Sequence, residues 1–425
     1  MVTGWIGQRC GGYAFLLAQV VGCGLAASGE RDSESAGPPE AELPEPEAPA
    51  VFLDACGCAQ SAALHALRCG GNASYWLHST PAGNAIVFSA DDNTYRWTPA
   101  GGTEILMTRS SAFAMSDDAS TLLLQVNSDL VIWRANGSSE VVGSMSPLDM
   151  NADGSVVLAW DYSAARSVLW TAERGVIGIA DGDVRDPLTA MTRDGSAVVG
   201  LRNEIDAVTG FANASSLVRW TDSVGLRELS PLPPGAQGST VDAVSSSGDV
   251  VAGSFQLDFG SNSYGVYRWT QTEGLRVVIP DKVLWFTLMS DDGSAVVSSR
   301  ADATRPTRAV AVRWTEGVGV DELAASDDRS TYPSAMTPDG TTIVGFGLEP
   351  GSDLQTTDPV YAASPFMWRA DIGYRDIEDV LASAGADLEG WQLGAPGAVS
   401  ADGRVMLGNG TCAGSVTTYR LILPR

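Results

Sequence analysis

The sequence predicts an all-β protein, a β-propeller of seven to eight four-stranded antiparallel blades. Three observations carry that expectation. A block of about 46 residues recurs along the last 350 or so, each block pairs two turn signals with β-branched or aromatic runs, and hardly any stretch keeps a helical period.

The first half of the block is a small-hydrophobic-Ser/Thr stretch, a tight turn and a β-branched run. Its strongest copies are Met191-Thr-Arg-Asp-Gly-Ser-Ala-Val-Val-Gly200, Met289-Ser-Asp-Asp-Gly-Ser-Ala-Val-Val297 and Met336-Thr-Pro-Asp-Gly-Thr-Thr-Ile-Val-Gly345. Looser copies begin at Met115, Met150, Val244 and Val399, and Thr80-Pro-Ala-Gly83 is a plausible first one. Asp-Gly between apolar runs signals a hairpin, because the primed turns need positive φ. Asp194, Asp292, Asp339 and Asp402 are therefore expected to bond their own turn backbone.

The second half is an aromatic strand, a turn and another apolar strand, as in Leu217-Val-Arg-Trp-Thr, Tyr267-Arg-Trp-Thr and Val312-Arg-Trp-Thr. Its markers are Trp97, Trp133, Trp170, Trp220, Trp269, Trp314 and Trp368, with Tyr419 taking the place in the last copy. That makes eight units, and seven intervals from Gly83 to Gly403 span 320 residues, a mean period of about 46. Two hairpins per unit give four antiparallel strands, the make-up of a propeller blade. The tryptophans are expected to pack between blades, with the preceding arginine pointing the other way along the strand.

The alternation of Ser-x-Asp-Gly-x-x-Val-Gly with Arg-Trp-Thr-x-x-x-Gly-x-x-Leu resembles the HAF repeat of bacterial extracellular proteins, over roughly residues 74–425. The His-Ala-Phe tripeptide behind that name is absent before every Trp; Ser364-Pro-Phe-Met-Trp368 comes nearest. The resemblance implies an exported β-propeller and no established activity. The Asp-Gly half alone also looks like the repeats of TolB-type propellers, which the Arg-Trp-Thr half fits less well.

Ahead of the repeats, residues 1–22 read as a secretory signal, with Arg9 before a short apolar run at Tyr13–Val21. That run is too short to span a bilayer, which takes about 20 apolar residues. Val20-Val21-Gly22-Cys23 resembles a bacterial lipobox, which implies a lipid on Cys23 and a membrane partner through that anchor. The alternative is cleavage near Leu25-Ala26-Ala27 and a secreted soluble protein. Residues 23–50 are an acidic, Pro-rich tether with little to bury. Residues 51–73 form a Cys-containing lead-in, and the propeller is expected over 74–425.

The last unit is one strand short, and Ala50–Ala55 is the candidate to supply it from the N-terminal side. Cys10 leaves with the signal, so Cys56, Cys58, Cys69 and Cys412 remain for two disulfides, of which at least one ties the start of the chain to its end. A zinc site of Cys56, Cys58, His65 and Cys69 is the rival reading.

With 51 acidic and 26 basic residues the formal charge is −25, which disfavours nucleic acid as a partner. Only His65 and His78 are present, and no Gly-x-Ser-x-Gly, His-Glu-x-x-His, Walker loop or sialidase-type box occurs. Asp181-Gly-Asp-Val-Arg-Asp186 reads as a charged surface loop rather than a calcium clasp. Neither a metal nor a cofactor is expected.

Length variation singles out the connection between the second and third strands. From turn residue to Trp is 14 residues in the first two units but 25, 21, 21 and 28 in units four to seven. These loops share one face of the ring, where binding usually lives. Phe211, Tyr264, Phe346 and Tyr361 are its candidate contacts. Ile377, Val380, Leu381 and Ala384 carry the period of a short amphipathic helix on the last blade. The expectation is a monomeric, lipid-anchored protein of the cell envelope that binds a protein or glycan. A glycan-active hydrolase or lyase, recognisable by a once-only acidic cluster at the channel mouth, is the alternative.

Overall fold

A computed structural model describes residues 63–179, 188–205, 212–233, 239–256, 264–283, 287–323, 328–350, 352, 363–386 and 388–423. Signal, tether, Cys23, Cys56, Cys58 and Ala50–Ala55 lie outside them. Eight four-stranded antiparallel blades form a closed propeller. Blades one to seven occupy residues 75–108, 110–143, 146–178, 188–231, 243–283, 288–322 and 330–376. Within each, chain order is also spatial order, from the channel outward. Blades five and six touch through one extra bridge, Val283 with Arg300.

Blade eight closes the ring. Its inner three strands are Trp391–Val399, Val405–Cys412 and Ser415–Ile422, and the outermost is Leu64–Cys69. The joining of the two chain ends agrees with expectation, but the strand lies further along than Ala50–Ala55. Leu64 and Leu67 explain the choice, being 1% and 3% exposed on opposite sides of the strand. Leu64 packs with Leu393, Met406 and Leu421, and Leu67 with Ile86, Phe88 and Trp97 of blade one. The propeller thus begins in the lead-in, before residue 74.

The tight turn between first and second strands repeats one set of bonds. A hydroxyl or amide at the strand end accepts the N–H five residues on, as in Ser116 to Thr121, Asn151 to Val156, Ser290 to Ala295 and Ser400 to Val405. Two residues after it, Asp118, Asp153, Asp194, Asp292, Asp339 or Asp402 accepts a second N–H, at 2.9–3.0 Å. Hydrogen bonds to these turns depress the Asp118, Asp194 and Asp292 carboxyls. The next residue has positive φ: +72° at Gly293, whose missing side chain also makes room for Val250 of the preceding blade. Blade two uses Ala119 there, at φ +55°.

Trp97, Trp133, Trp170, Trp220 and Trp269 are buried, and Trp314 and Trp368 half-buried, between blades. The register corrects one assignment. Trp97 pairs with Ile86, and Trp368 with Ile343, each three residues past the turn Gly; at that station in blade eight Met406 pairs with Leu421. Leu421, not Tyr419, takes the tryptophan's place. Tyr419 aligns instead with Tyr267, and both donate from the phenol to a backbone carbonyl, Gly394 in the first strand of blade eight and Thr240 just before that of blade five. Gly408 and Gly253 make room for those rings.

The arginine before Trp, or before Leu421 in blade eight, reaches the next blade. Arg96 stacks on Trp133, Arg268 on Trp314, Arg313 on Trp368 and Arg420 on Trp97, at 4.9–5.5 Å. A helix, α1 (Ile377–Ser383), buries Ile377 and Leu381 where blades seven and eight meet.

Candidate functional site

The tight turns converge on one mouth of the channel and bond to one another there. The residue after the turn hydroxyl occupies equivalent rim positions: Pro81, Asp117, Ala152, Arg193, Ser246, Asp291, Pro338 and Ala401. Asp117 N–H donates to Ala152, Ala152 to Arg193, Ser246 to Asp291, Asp291 to Pro338 and Ala401 to Pro81, all at 2.7–3.0 Å. Pro81 and Pro338 have no N–H to give, and among the described residues no bond links Arg193 N–H to Ser246, so the relay runs in three stretches around the rim.

Three of the eight carry charge. Arg193 forms an ion pair with Asp117, reaching over blade three where Ala152 leaves room. Asp291 stands on blade six, opposite blade two in the ring, and its carboxylate has no hydrogen-bond or ion-pair partner among the described residues. Below the rim lies a cavity of about 350 Å³, lined by these residues together with His78, Phe113, Met115, Asp149, Met150 and Met191.

Register again separates scaffold from exception. Three residues before the rim, the first strands carry His78, Ala114, Asp149, Ala190, Ala243, Leu288, Ala335 and Ala398. Only blades one and three have a polar group. Asp149 accepts Met150 N–H at 2.8 Å and Met191 N–H at 3.0 Å, linking blades three and four. Burial pushes its carboxyl up to about 6, against the lowering by those two N–H groups. Burial holds His78 down to about 4, so the ring is neutral near pH 7 and its Nε2–H donates to the Ala112 carbonyl at 3.4 Å. Asp242, one residue deeper on blade five, is likewise pushed by burial up to about 6. The cavity is lined by three acidic side chains, Asp117, Asp149 and Asp291, and one guanidinium, Arg193.

The residues expected at the long-loop face fare differently. Phe346 is 3% exposed and stacks on Tyr332, so it is a core residue and presents nothing to a ligand. Tyr264 is half-buried against the apolar cluster of blades five and six. Phe211, Tyr361 and Asp181–Asp186 lie outside the described residues. Cys69 and Cys412 both sit in blade eight, and neither is a free thiol. No disulfide joins two described residues. His65 lies on the closing strand near Trp97, at 6.4 Å. Among the described residues no group of three His, Cys, Asp or Glu is placed to hold a metal.

No family model and no curated protein matches the sequence. Solved structures are similar in fold. The dipeptidyl peptidase 4 of Porphyromonas gingivalis has a TM-score of 0.54 at 10% identity, over 82% of this chain and 56% of that one. An oligogalacturonate lyase in complex with manganese gives 0.49 at 15%, over 87% and 95%. TolB from Acinetobacter baumannii gives 0.36 at 16%, over 60% and 64%. At 10% identity the first of these shows a likeness of fold alone.

Proposed function

We propose that this protein is a binding module of the cell envelope, held to a membrane through a lipid on Cys23, which engages a protein partner through its propeller. The observation that carries the reading is how the repeat distributes its residues. Turn hydroxyls, Asp-Gly pairs, tryptophans and arginines recur blade after blade and make scaffold contacts. Asp117, Asp149, Arg193 and Asp291 break the pattern and gather at one channel mouth. A rigid ring presenting a few once-only groups beside a cavity suits recognition. The sequence pointed to the opposite, long-loop face, which stays a second surface for the same role.

The once-only acids are also what a glycan-cleaving propeller needs, so that alternative is met directly. Crosslinking in intact cells, followed by capture of the full-length chain and mass spectrometry, is expected to recover a reproducible protein partner. Cleavage of a polysaccharide by the purified chain, lost on Asp149→Asn, would replace the binding reading with an enzymatic one.

A further inference from the structure

Blade eight is assembled from both ends of the chain, and it holds both cysteines found among the described residues. We infer that these two, Cys69 and Cys412, are bonded to Cys56 and Cys58 of the lead-in, so that a reducible covalent latch closes the ring together with the strand Leu64–Cys69. The latch is independent of the binding role proposed above, and it selects one of the pairings that the sequence leaves open.

Cys69 and Cys412 are each in a disulfide, and the ladder shows that they are not bonded to each other. Cys69 pairs with Thr417, Thr417 pairs with Gly410, and Gly410 stands two residues before Cys412. Two strand spacings across and two residues along put their Cα atoms about 12 Å apart, against a limit of about 7 Å for a disulfide. Their partners are therefore among Cys10, Cys23, Cys56 and Cys58. On the lipid-anchor reading Cys10 leaves with the signal and Cys23 carries the lipid, which leaves Cys56 and Cys58. The bond at Cys69 also sets aside the zinc site that would use it as a thiolate.

Position favours the same pairing. Leu64–Cys69 and Val405–Cys412 flank Ser415–Ile422 and are both antiparallel to it, so they run the same way and end together on the long-loop side. The two cysteines also share a face: counting by twos along the ladder from Tyr419 and Met406, both turn toward blade seven. Residues spaced i, i+2, as Cys56 and Cys58 are, present their side chains on one side of an extended segment about 7 Å apart. The chain enters at the tight-turn end, where Ile422 N–H bonds Ala63 at 2.7 Å. Back from there to the level of Cys69 is about 17 Å, and the chain from Ala63 to Cys58 and to Cys56 spans about 17 and 24 Å. In each bond two cysteine thiols are oxidised by exchange with an external protein or small-molecule disulfide, which is reduced to two thiols and takes up the two protons.

Tryptic digestion of the full-length chain without reductant, followed by mass spectrometry, tests the pairing. Cleavage after Arg68 separates Cys69 from Cys56 and Cys58, and cleavage after Arg404 and Arg420 releases Cys412. The expected result is that the Cys69 and Cys412 peptides are each linked to the peptide holding Cys56 and Cys58, with no free thiol on any of the four. A Cys69–Cys412 link, a Cys56–Cys58 link, a link to Cys23, or free thiols at Cys69 and Cys412 overturns the pairing. Urea unfolding followed by tryptophan fluorescence reads the latch itself. Reductant is expected to lower the midpoint of the parent by about 1 M and to leave that of Cys56→Ser/Cys58→Ser unchanged. That variant alters only residues ahead of the closing strand, so every strand of the ring is retained. An unchanged midpoint in the parent, or an equal shift in parent and variant, overturns the latch. Neither readout involves a partner, so failure here leaves the binding role standing.

Discussion

The closing strand offers the sharpest quantitative consequence of the fold. Leu64–Cys69 pairs with Ser415–Ile422 through contacts that include Leu64 with Leu421 and Ala66 with Tyr419, and Gly70 N–H donates to Val416 at 2.8 Å. Its contribution beyond these bonds comes from Leu64 and Leu67, almost fully buried in two different clusters. Truncating a buried leucine to alanine costs about 2–5 kcal/mol, the lost transfer energy plus the cavity left behind. Because the two side chains enter separate cores, Leu64→Ala and Leu67→Ala are expected to add to within about 0.5 kcal/mol. Urea unfolding followed by tryptophan fluorescence measures this. With a denaturant slope of about 3 kcal/mol per molar for a chain of this size, each variant should lower the midpoint by about 1 M. Val141→Ala, at a residue 45% exposed on blade two, should stay within about 0.5 kcal/mol of the parent. If Leu64→Ala and Leu67→Ala behave like Val141→Ala, the N-terminal strand does not close the ring.

Other consequences follow from single positions. Ala119→Gly should stabilise the fold by about 1 kcal/mol, since φ +55° costs an L residue about that much, whereas Gly293→Ala should destabilise it by more, because its Cβ would meet Val250 at 2.6 Å; thermal melts of both report the signs. Arg268→Ala should cost about 2–4 kcal/mol, because it removes a 5%-exposed guanidinium from Trp314 and strips the Gly293 carbonyl of its 2.9 Å donor; a loss under 0.5 kcal/mol in urea would contradict that role. Asp149 has a folded pKa near 6, above its unfolded value, so its ionised form costs stability above about pH 6 and that cost is relieved as pH falls toward 4. Asp149→Ala should remove this slope, seen as the difference between unfolding curves at pH 7.5 and 4.5, with about 3 kcal/mol as its ceiling. The turn carboxylates of Asp118, Asp194 and Asp292 act oppositely: their pKa values are depressed, so their stabilisation is present at neutral pH and is lost as pH falls through the acidic range.

The architecture was legible because the repeat writes the same local physics eight times. Turn glycines with positive φ, hydroxyls that cap the turn and tryptophans between blades each leave a periodic mark. The strand Leu64–Cys69 was harder to read because it is an isolated segment, paired in space with residues some 350 positions away, and it carries no turn motif of its own. Aromatic character alone puts Tyr419 in the tryptophan's place; the ladder shows that distance from the turn glycine decides, which selects Leu421. The channel mouth escaped for a related reason. Asp117 and Asp291 sit beside Asp118 and Asp292, so each looks like part of the turn that follows, and only alignment on the turn separates the rim carboxylate from the capping one. Asp149 likewise hides at a station where five of the other blades have Ala, and neither its contact with Met191 nor the cavity beneath it exists until the ring closes. The long loop that follows its strand points to a surface place for Phe346, but the strand stays in the sheet through Leu348 and keeps the ring in the core.

On the binding reading, the residues that break the repeat at the tight-turn mouth form the binding surface. The most direct measurement is partner capture after crosslinking in intact cells, comparing the parent chain with Asp117→Asn/Asp291→Asn and with a chain shortened between residues 349 and 362. Expression and urea stability of each are checked alongside. Loss of the partner in the rim variant, with capture kept in the shortened chain, is the predicted result. Capture kept in the rim variant and lost in the shortened chain would contradict the claim and move the site to the long-loop face.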